Sequence, residues 1–500
     1  MHSCSVNRGK VAYSLADSFY EYPGETGSAQ SLLLWGNSNM LYSYIRDSVI
    51  IDSERILVWY EEAGLEGLYM LSRKPVEEIA EREPVVLAAF EPDLSLKEAA
   101  VRFNRQNGKY QVFIETCGYS PENAEGAAGR RDAALVSPDP PDLVVLDGLD
   151  LKNSMEKGLL EDLGAYLEKS GILDRKDFLE NALEGYTFGG KLAGIPVEIR
   201  VKALAGRLSQ VGEPDSWTME DVYAIAEQYP EHTRLLSDGF YRSDGRSDEI
   251  GTRTHLLGEF CAPWYLEEYV DWDKGTCNFD SEGFRRLLQW IGEHGSDEPQ
   301  TAGTGESVYY TRGYMPEDAL FIEDFLDFER AAIWQVQFGE EIRLLGYPSA
   351  DGRGKGYVQP VSPLGIVAEA GNREGAWAFL EYYISLVCEQ KDILTTSKSQ
   401  LQEQMEAWTI TDRQNGDTER KSFVILDEVL EPVYGISREM AQQVMDLLKE
   451  ADFSPDSRWK DDIAGIVLEE AEDFYKGNKS LEDVTEIIQN RAGILVQEQR

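Results

Sequence analysis

An apolar strand that ends in acids is the first chemistry this sequence offers. In the stretch PDLVVLDGLD, residues 141–150, the apolar run Leu143–Leu146 stops at Asp147-Gly148, and a second carboxylate, Asp150, follows. Asp-Gly is an ordinary exit from a strand, since glycine takes backbone angles closed to other residues. The carboxyl ends of strands in open α/β sheets are also where ligands bind. Both readings of Asp147 stand. Asp150 reads as the cap of the next helix. Catalytic readings find less support. Glycoside hydrolysis needs two carboxylates at a set separation, but with 91 acids in 500 residues, neighbouring acids carry little information. The sequence has no GxSxG, HExxH or Walker GxxxxGK[ST] pattern. DGRGKG at 351–356 lacks the Walker spacing and reads as a surface turn. No two of the four histidines (His2, His232, His255, His294) have metal-ligand spacing, so no metal site is expected. Five cysteines without a CxxC argue against a disulfide framework. Cys261 and Cys277 read as free thiols, with their pairing left open.

The elements that must position these groups belong to a large acidic protein. Five hundred residues exceed one core, so two or three domains are expected. Hydrophobic content of 42% is globular. A formal charge of -43 excludes nucleic acid as a partner, which needs a basic footprint. It also disfavours an anionic lipid surface and suits a neutral or cationic ligand. The opening MHSCSVNRGK has no apolar signal core, and no hydrophobic run precedes Cys4. The chain therefore reads either as cytoplasmic or as one whose beginning lies outside this sequence.

Residues 31–72 read as a β-meander with EEAGLEG as a hairpin loop, and 73–83 as a linker or short helix. Such a fragment needs a partner for its edges. From residue 84 the pattern becomes β-α-β. PVVLAAFEPD and YQVFIET are strands. Between them lies a helix with a capping box at Ser95 and Glu98 and an apolar stripe of Leu96, Ala99, Ala100 and Phe103. LVVL is the third strand, as in a parallel sheet covered on both faces. A hairpin is expected at Gly189-Gly190, then a crossover strand through Pro196. Residues 231–330 read mostly as helix and loop, RAAIWQVQ as part of a second α/β passage, and the chain from about 391 as helical.

Three stretches, in order, resemble the extracellular solute-binding proteins of family 1, receptors of ABC importers for sugars. They are PDLVVLDGLDLKNSMEKGLLEDLGAYLEKSG, GGKLAGIPVEIRVKALAGR, and the run from AAIWQV through LLGYPSADGRGKGYVQPVSPLGIVAEAGNREGAWAFLEYYIS. The resemblance spans about residues 84–500. It implies an α/β, two-lobed periplasmic-binding-protein-like fold of type II, with a hinge and C-terminal helices. By analogy one lobe is 84–198 plus 357–390, and the other 199–356 plus 391–500. The β-rich residues 1–83 lie outside that fold and resemble the tail of a propeller-like extension. The family's function would follow: capture of a mono- or oligosaccharide by hinge closure, delivery to a membrane permease, no bond broken, no cofactor, a monomer at the cell surface. Family members carry a secretion signal and a lipid-attached cysteine, which these residues do not show.

A sugar site needs aromatic faces for the ring and carboxylates, amides or arginine for its hydroxyls. The resemblance directs attention to strand ends and crossovers. The candidates are Glu91 after the first strand, Asp147 after the third, and Glu198 with Arg200 on the crossover. Alternation puts these last two on one face. Trp334 matches the family's sugar-stacking tryptophan, although AAIWQV lacks the Gly-Pro that precedes it there, and that stretch is a small-residue strand in the family. Tyr357 and Ser362 flank the return crossover. Tyr309 and Tyr310 are weaker candidates, and one of Trp264, Trp272 and Trp290 is a further one. Trp217 and Trp377 read as packing residues. Other classes remain: a surface sensor or adhesion module with the same fold, or a glycoside-processing enzyme.

Overall fold

The computed structural model describes residues 3–7, 10–15, 18–22, 30–52, 54–62, 64, 66–74, 82–89, 92–117, 124–214, 216–229, 234–238, 252–260, 266–272, 274–297, 319–410, 420–426, 429–453 and 458–498. Glu91, Cys261, Trp264, Tyr309 and Tyr310 lie outside the described residues. Contacts divide the chain into two units. Unit 1 is 1–178, 186–198 and 360–397; unit 2 is 179–185, 199–359 and 398–500.

Unit 1 begins with two antiparallel sheets. The first is β1 (Ser3–Asn7), β2 (Lys10–Leu15), β3 (Ser18–Tyr22) and β4 (Gln30–Leu34). The second is β5 (Ile45–Asp52), β6 (Arg55–Tyr60) and β7 (Gly67–Ser72). The meander thus starts well before residue 31. Period-two alternation builds their shared core of Ala12, Phe19, Trp35, Ile45, Val58 and Tyr60. The other face of the second sheet leaves Val49, Ile51, Trp59, Leu68 and Met70 exposed. These sheets join the α/β part through Asn37 and through Arg105, whose guanidinium bonds Glu62, Tyr60 and the Asn39 carbonyl. Asn37 donates to the Ile114 carbonyl at 2.8 Å and accepts from its N–H at 2.9 Å, occupying that strand's free edge.

The main sheet of unit 1 contains β8 (Glu83–Ala88), β9 (Tyr110–Glu115), β10 (Leu143–Val145) and β20 (Leu364–Ile366), in the order β20-β10-β8-β9. β8 runs parallel to both β9 and β10, and β20 is antiparallel. All of β10 is buried, as its unbroken apolar run requires. The helix Leu94–Gln106 buries Leu96, Ala99, Ala100 and Phe103. Its cap is Asp93, which accepts from the Leu96 N–H, and not the expected box at Ser95 and Glu98. Aspartate caps as well as serine, so the helix starts at the earlier cap. Buried Asn104 bonds both the N–H and the carbonyl of Val112, tying that helix to β9. The helix Arg373–Cys388 packs on Leu94–Gln106, β8 and β20, burying Ala376, Phe379, Leu380 and Tyr383. Trp377 lies on its flank, its ring 5.2 Å from that of Tyr166. The predicted hairpin is β11 (Thr187–Phe188) and β12 (Lys191–Leu192), turning on Gly189 and Gly190 at φ +57° and +80°.

Unit 2 is built on β13 (Ile199–Arg207), β14 (Arg234–Asp238), β17 (Ala319–Phe325), β18 (Ile342–Leu344) and β19 (Tyr357–Pro360). The order is β14-β17-β13-β18, with β19 also on β13. Two short hairpins accompany it, β15 (Val270–Asp271) with β16 (Thr276–Cys277), and β21 (Ser422–Leu426) with β22 (Val429–Val433). Three expectations are corrected here. The 231–330 passage supplies two strands of the main sheet, β14 and β17. The segment after 391 contains the β21–β22 hairpin. AAIWQV is a helical segment and not a strand: the helix Phe328–Phe338 starts on Asp327, which accepts from Arg330 N–H at 2.6 Å, and ends at Gly339 with φ +68°. The buried positions Phe328, Ala331, Ala332 and Phe338 recur on a helical period, which the short apolar run alone does not reveal.

Candidate functional site

In unit 1, polar groups converge at the carboxyl ends of the parallel strands. β10 leaves the sheet through a turn in which Leu149 N–H bonds Leu146 carbonyl at 3.0 Å. Gly148 sits in it at φ +66°, an angle that side-chain-bearing residues resist. So Asp147 is a turn residue, and its half-buried carboxylate is also held at a strand end. The guanidinium of Arg131, wholly buried, fixes that turn by donating to the carbonyls of Val145 and Asp147. The carboxyl end of β8 leads to Asp93.

Glu198 arrives on the crossover. It is 7% exposed, its backbone bridges Thr395, and its carbonyl accepts from Val361 N–H at 2.9 Å. Arg200, expected on the same face, is exposed, and its guanidinium lies 6.0 Å from the ring centroid of Phe325. Glu198 is thus buried and Arg200 exposed, and Val197, Ile199 and Val201 beside them are buried as well. The crossover has no single polar side.

The residue that gathers these acids is Tyr383. Its side chain is 1% exposed, and its hydroxyl has no hydrogen-bond partner. Burial, and then the charges of Asp93, Glu198 and Asp147, hold its ionisation well above that of an ordinary tyrosine. The phenol is therefore a protonated donor. The charges of Asp147 and Glu198, both chosen from sequence, are among those that raise the phenol's pKa. Tyr383 itself was hidden in a helix stripe, where its period fits core packing.

Unit 2 carries a different cluster. Lys202 on β13 lies 2.6 Å from Glu323 on β17 and 3.1 Å from Glu259 on the helix Arg253–Phe260. The hydroxyl of Tyr347 bonds Glu259 at 3.0 Å and Glu323 at 3.1 Å. Burial opposes the charge of Lys202, yet Glu323 and Glu259 outweigh it and hold the ammonium pKa above its usual value. Burial also opposes ionisation of Glu323, but Lys202 overcomes it and lowers its pKa. For Glu259, burial and the neighbouring charge of Glu323 prevail, and its pKa is raised. His255, Glu259 and Glu323 present three ligand atoms within 4.8 Å of one another. A histidine and a glutamate four residues apart on a helix, His255 and Glu259, are the signal of this cluster in the sequence. The ammonium of Lys202 already supplies this cluster's cation, so it reads as an internal ion network.

The remaining candidates disperse. Trp334 is completely buried on the helix Phe328–Phe338. Tyr357 is 4% exposed on β19. Ser362, also buried, adopts φ +43°, an angle a non-glycine residue rarely takes. Trp217 packs edge-on to Phe321, and its indole donates to Gly346 carbonyl at 3.1 Å. Trp290 packs between Tyr223 and Phe260. Trp272 lines an open hollow of about 570 Å³ with Tyr269 and Asp271. Cys277 is a free thiol.

Comparison with known proteins gives the fold its family. Residues 98–398 match the family described as bacterial extracellular solute-binding protein. No curated protein matches the chain. Among solved structures, the cyclic alpha-maltosyl-1,6-maltose binding protein from Arthrobacter globiformis is 14% identical, with 83% of this chain and 100% of that one covered and a TM-score of 0.50. The sugar-binding protein MalE from Xanthomonas citri is 15% identical over 83% and 98%, with a TM-score of 0.52. A family 1 extracellular solute-binding protein from Alicyclobacillus acidocaldarius is 12% identical over 83% and 99%, with a TM-score of 0.51. At such identities the likeness is one of fold, the two-lobed α/β type II solute-binding fold. With more than half of its length matched by the family, the chain belongs to the bacterial extracellular solute-binding proteins.

Proposed function

We propose that this chain is the receptor of an ABC importer, which captures a mono- or oligosaccharide outside the membrane and passes it to a permease without breaking a bond. The observation that carries this reading is the set of carboxylates Asp93, Asp147 and Glu198 in unit 1, whose charges bear on the buried phenol of Tyr383. Carboxylates accept hydrogen bonds from sugar hydroxyls, and a protonated phenol donates one. The sugar-binding names of two similar structures agree with this ligand class. Asp147 and Glu198 are the proposed ligand-binding residues. The family's extracellular character agrees with action at the cell surface, in the manner of its lipid-anchored members.

The test is a thermal-shift screen of the purified protein against mono- and oligosaccharides, with amino acids and polyamines as comparison sets. A saccharide at about 100 times its Kd adds about 2.7 kcal/mol of stability. A shift from saccharides alone supports the reading. A shift only from polyamines or amino acids, or hydrolysis of the glycan, contradicts it.

A further inference from the structure

The three-stranded sheet of unit 1, β5-β6-β7, has two unlike faces. One face enters the core shared with the β1–β4 sheet through Ile45, Val58 and Tyr60. The other points to solvent. Fourteen large apolar side chains are exposed among the described residues, and five of them, Val49, Ile51, Trp59, Leu68 and Met70, lie on this one face. The strand register sets them in rows, because directly opposite residues share a face. Asp47, Trp59 and Leu68 form the first row, and Val49, Leu57 and Met70 the second. Arg55 and Ser72 form the third, with Ile51 beside them at a bulge. Contiguous exposed apolar surface marks a place where something docks.

We propose that this face is the interface of a homodimer, in which two copies pack sheet on sheet about a two-fold axis that runs across the strands. The sister face already packs on a sheet, so the same mode suits the same strands. The charges choose the axis. A two-fold across the strands reverses the order of the rows, so Trp59 of each copy meets the partner's Arg55, and the apolar second row meets itself. A guanidinium over an indole is attractive. A two-fold along the strands keeps the order of the rows and sets like arginines against each other. No acid interrupts the middle row: Asp47 stands at a corner, and Asp52 accepts from Arg55 at 2.8 Å. Tryptophan and arginine are also the residue types that dominate interface energies. Long-lived interfaces bury about 800 Å² on each partner. A face of three short strands offers less, so the dimer forms in the micromolar range. Each copy carries a formal charge of -43, which opposes association until salt screens it. Affinity therefore rises with ionic strength, the reverse of an interface made of ion pairs. The monomer implied by the family resemblance concerns residues 84–500, and this face lies outside them.

The experiment follows sedimentation velocity across the micromolar range, at low and high NaCl, for the wild type, Trp59→Glu, Leu68→Glu, Arg55→Glu and Ile172→Glu. Trp59, Leu68 and Ile172 are 51%, 70% and 66% exposed, so these variants keep their fold, which far-UV circular dichroism checks. The expected result is a wild-type dimer that tightens with salt. Trp59→Glu and Leu68→Glu should stay monomeric, and Arg55→Glu should associate at least about tenfold more weakly. Ile172→Glu, off this face, should dimerise as the wild type does. A wild type that stays monomeric at every concentration and salt overturns the proposal and leaves the face to another occupant. A dimer that survives Trp59→Glu and Leu68→Glu, or that Ile172→Glu breaks equally, overturns it too. Full affinity in Arg55→Glu overturns the proposed axis. No sugar enters this readout, so the dimer and the receptor reading fail separately.

Discussion

Two buried tyrosines stand among carboxylates in this protein, and they are treated in opposite ways. In unit 2, Tyr347 bonds both Glu259 and Glu323, and Lys202 bridges the same pair. Its donor is used, and a cation balances the acids. In unit 1, Tyr383 is as deeply buried and feels the charges of Asp93, Glu198 and Asp147, yet its hydroxyl bonds none of them. The same residue types are thus satisfied in one unit and not in the other. A fully satisfied network rigidifies a core, whereas an unpaired buried polar group costs stability.

The largest effect should come from removing the cation of the satisfied network. Lys202→Met leaves two buried carboxylates without a countercharge and should cost about 3–5 kcal/mol in urea unfolding at neutral pH. A loss near zero would mean that water reaches the cluster and that the contrast between the units is false.

Acidity should then shrink that loss. Glu259 has a raised pKa in the folded protein, so it contributes stability that is full below its unfolded pKa of about 4.3 and fades as pH rises through the folded value. Glu323, with its lowered pKa, does the reverse, and its contribution is lost as pH falls through the folded value. In Lys202→Met both carboxylates lose the ammonium, and both should behave as Glu259 does. The difference in stability between variant and wild type should therefore narrow from pH 7 to pH 5. Parallel unfolding curves across that range would count against the network.

Next in size is the pair of matched substitutions. Tyr347→Phe strips a donor from two acids and should cost about 1–3 kcal/mol. Tyr383→Phe removes an unused hydroxyl and should change stability by less than about 0.5 kcal/mol, or raise it. Equal losses in the two variants would erase the distinction between the units.

The sequence made the main sheet of unit 1 readable because its strands are apolar throughout and its helix has a clean stripe. Asp147 and Glu198 were readable as site candidates for the same reason, since each interrupts a buried run. Unit 2 was harder. β14 and β17 lie far apart in sequence, and the pairing that makes them strands is not local. The helix around Trp334 was misread because a short apolar run fits either period until its cap at Asp327 and its stop at Gly339 are weighed. Lys202 looked like one more strand residue. Only the fold brings it to Glu323, 121 positions away in the sequence, and to Glu259. Tyr383 was invisible as a site residue, because its apolar neighbours and helical spacing describe a core position equally well.

The most direct test of the central claim, that the strand-end acids of unit 1 hold a sugar, is calorimetric titration of maltotriose into the wild type and Asp147→Asn. Asparagine keeps the turn and removes the charge. The account predicts saturable binding to the wild type and affinity at least about tenfold weaker in the variant. Binding of equal strength in the two proteins would contradict it.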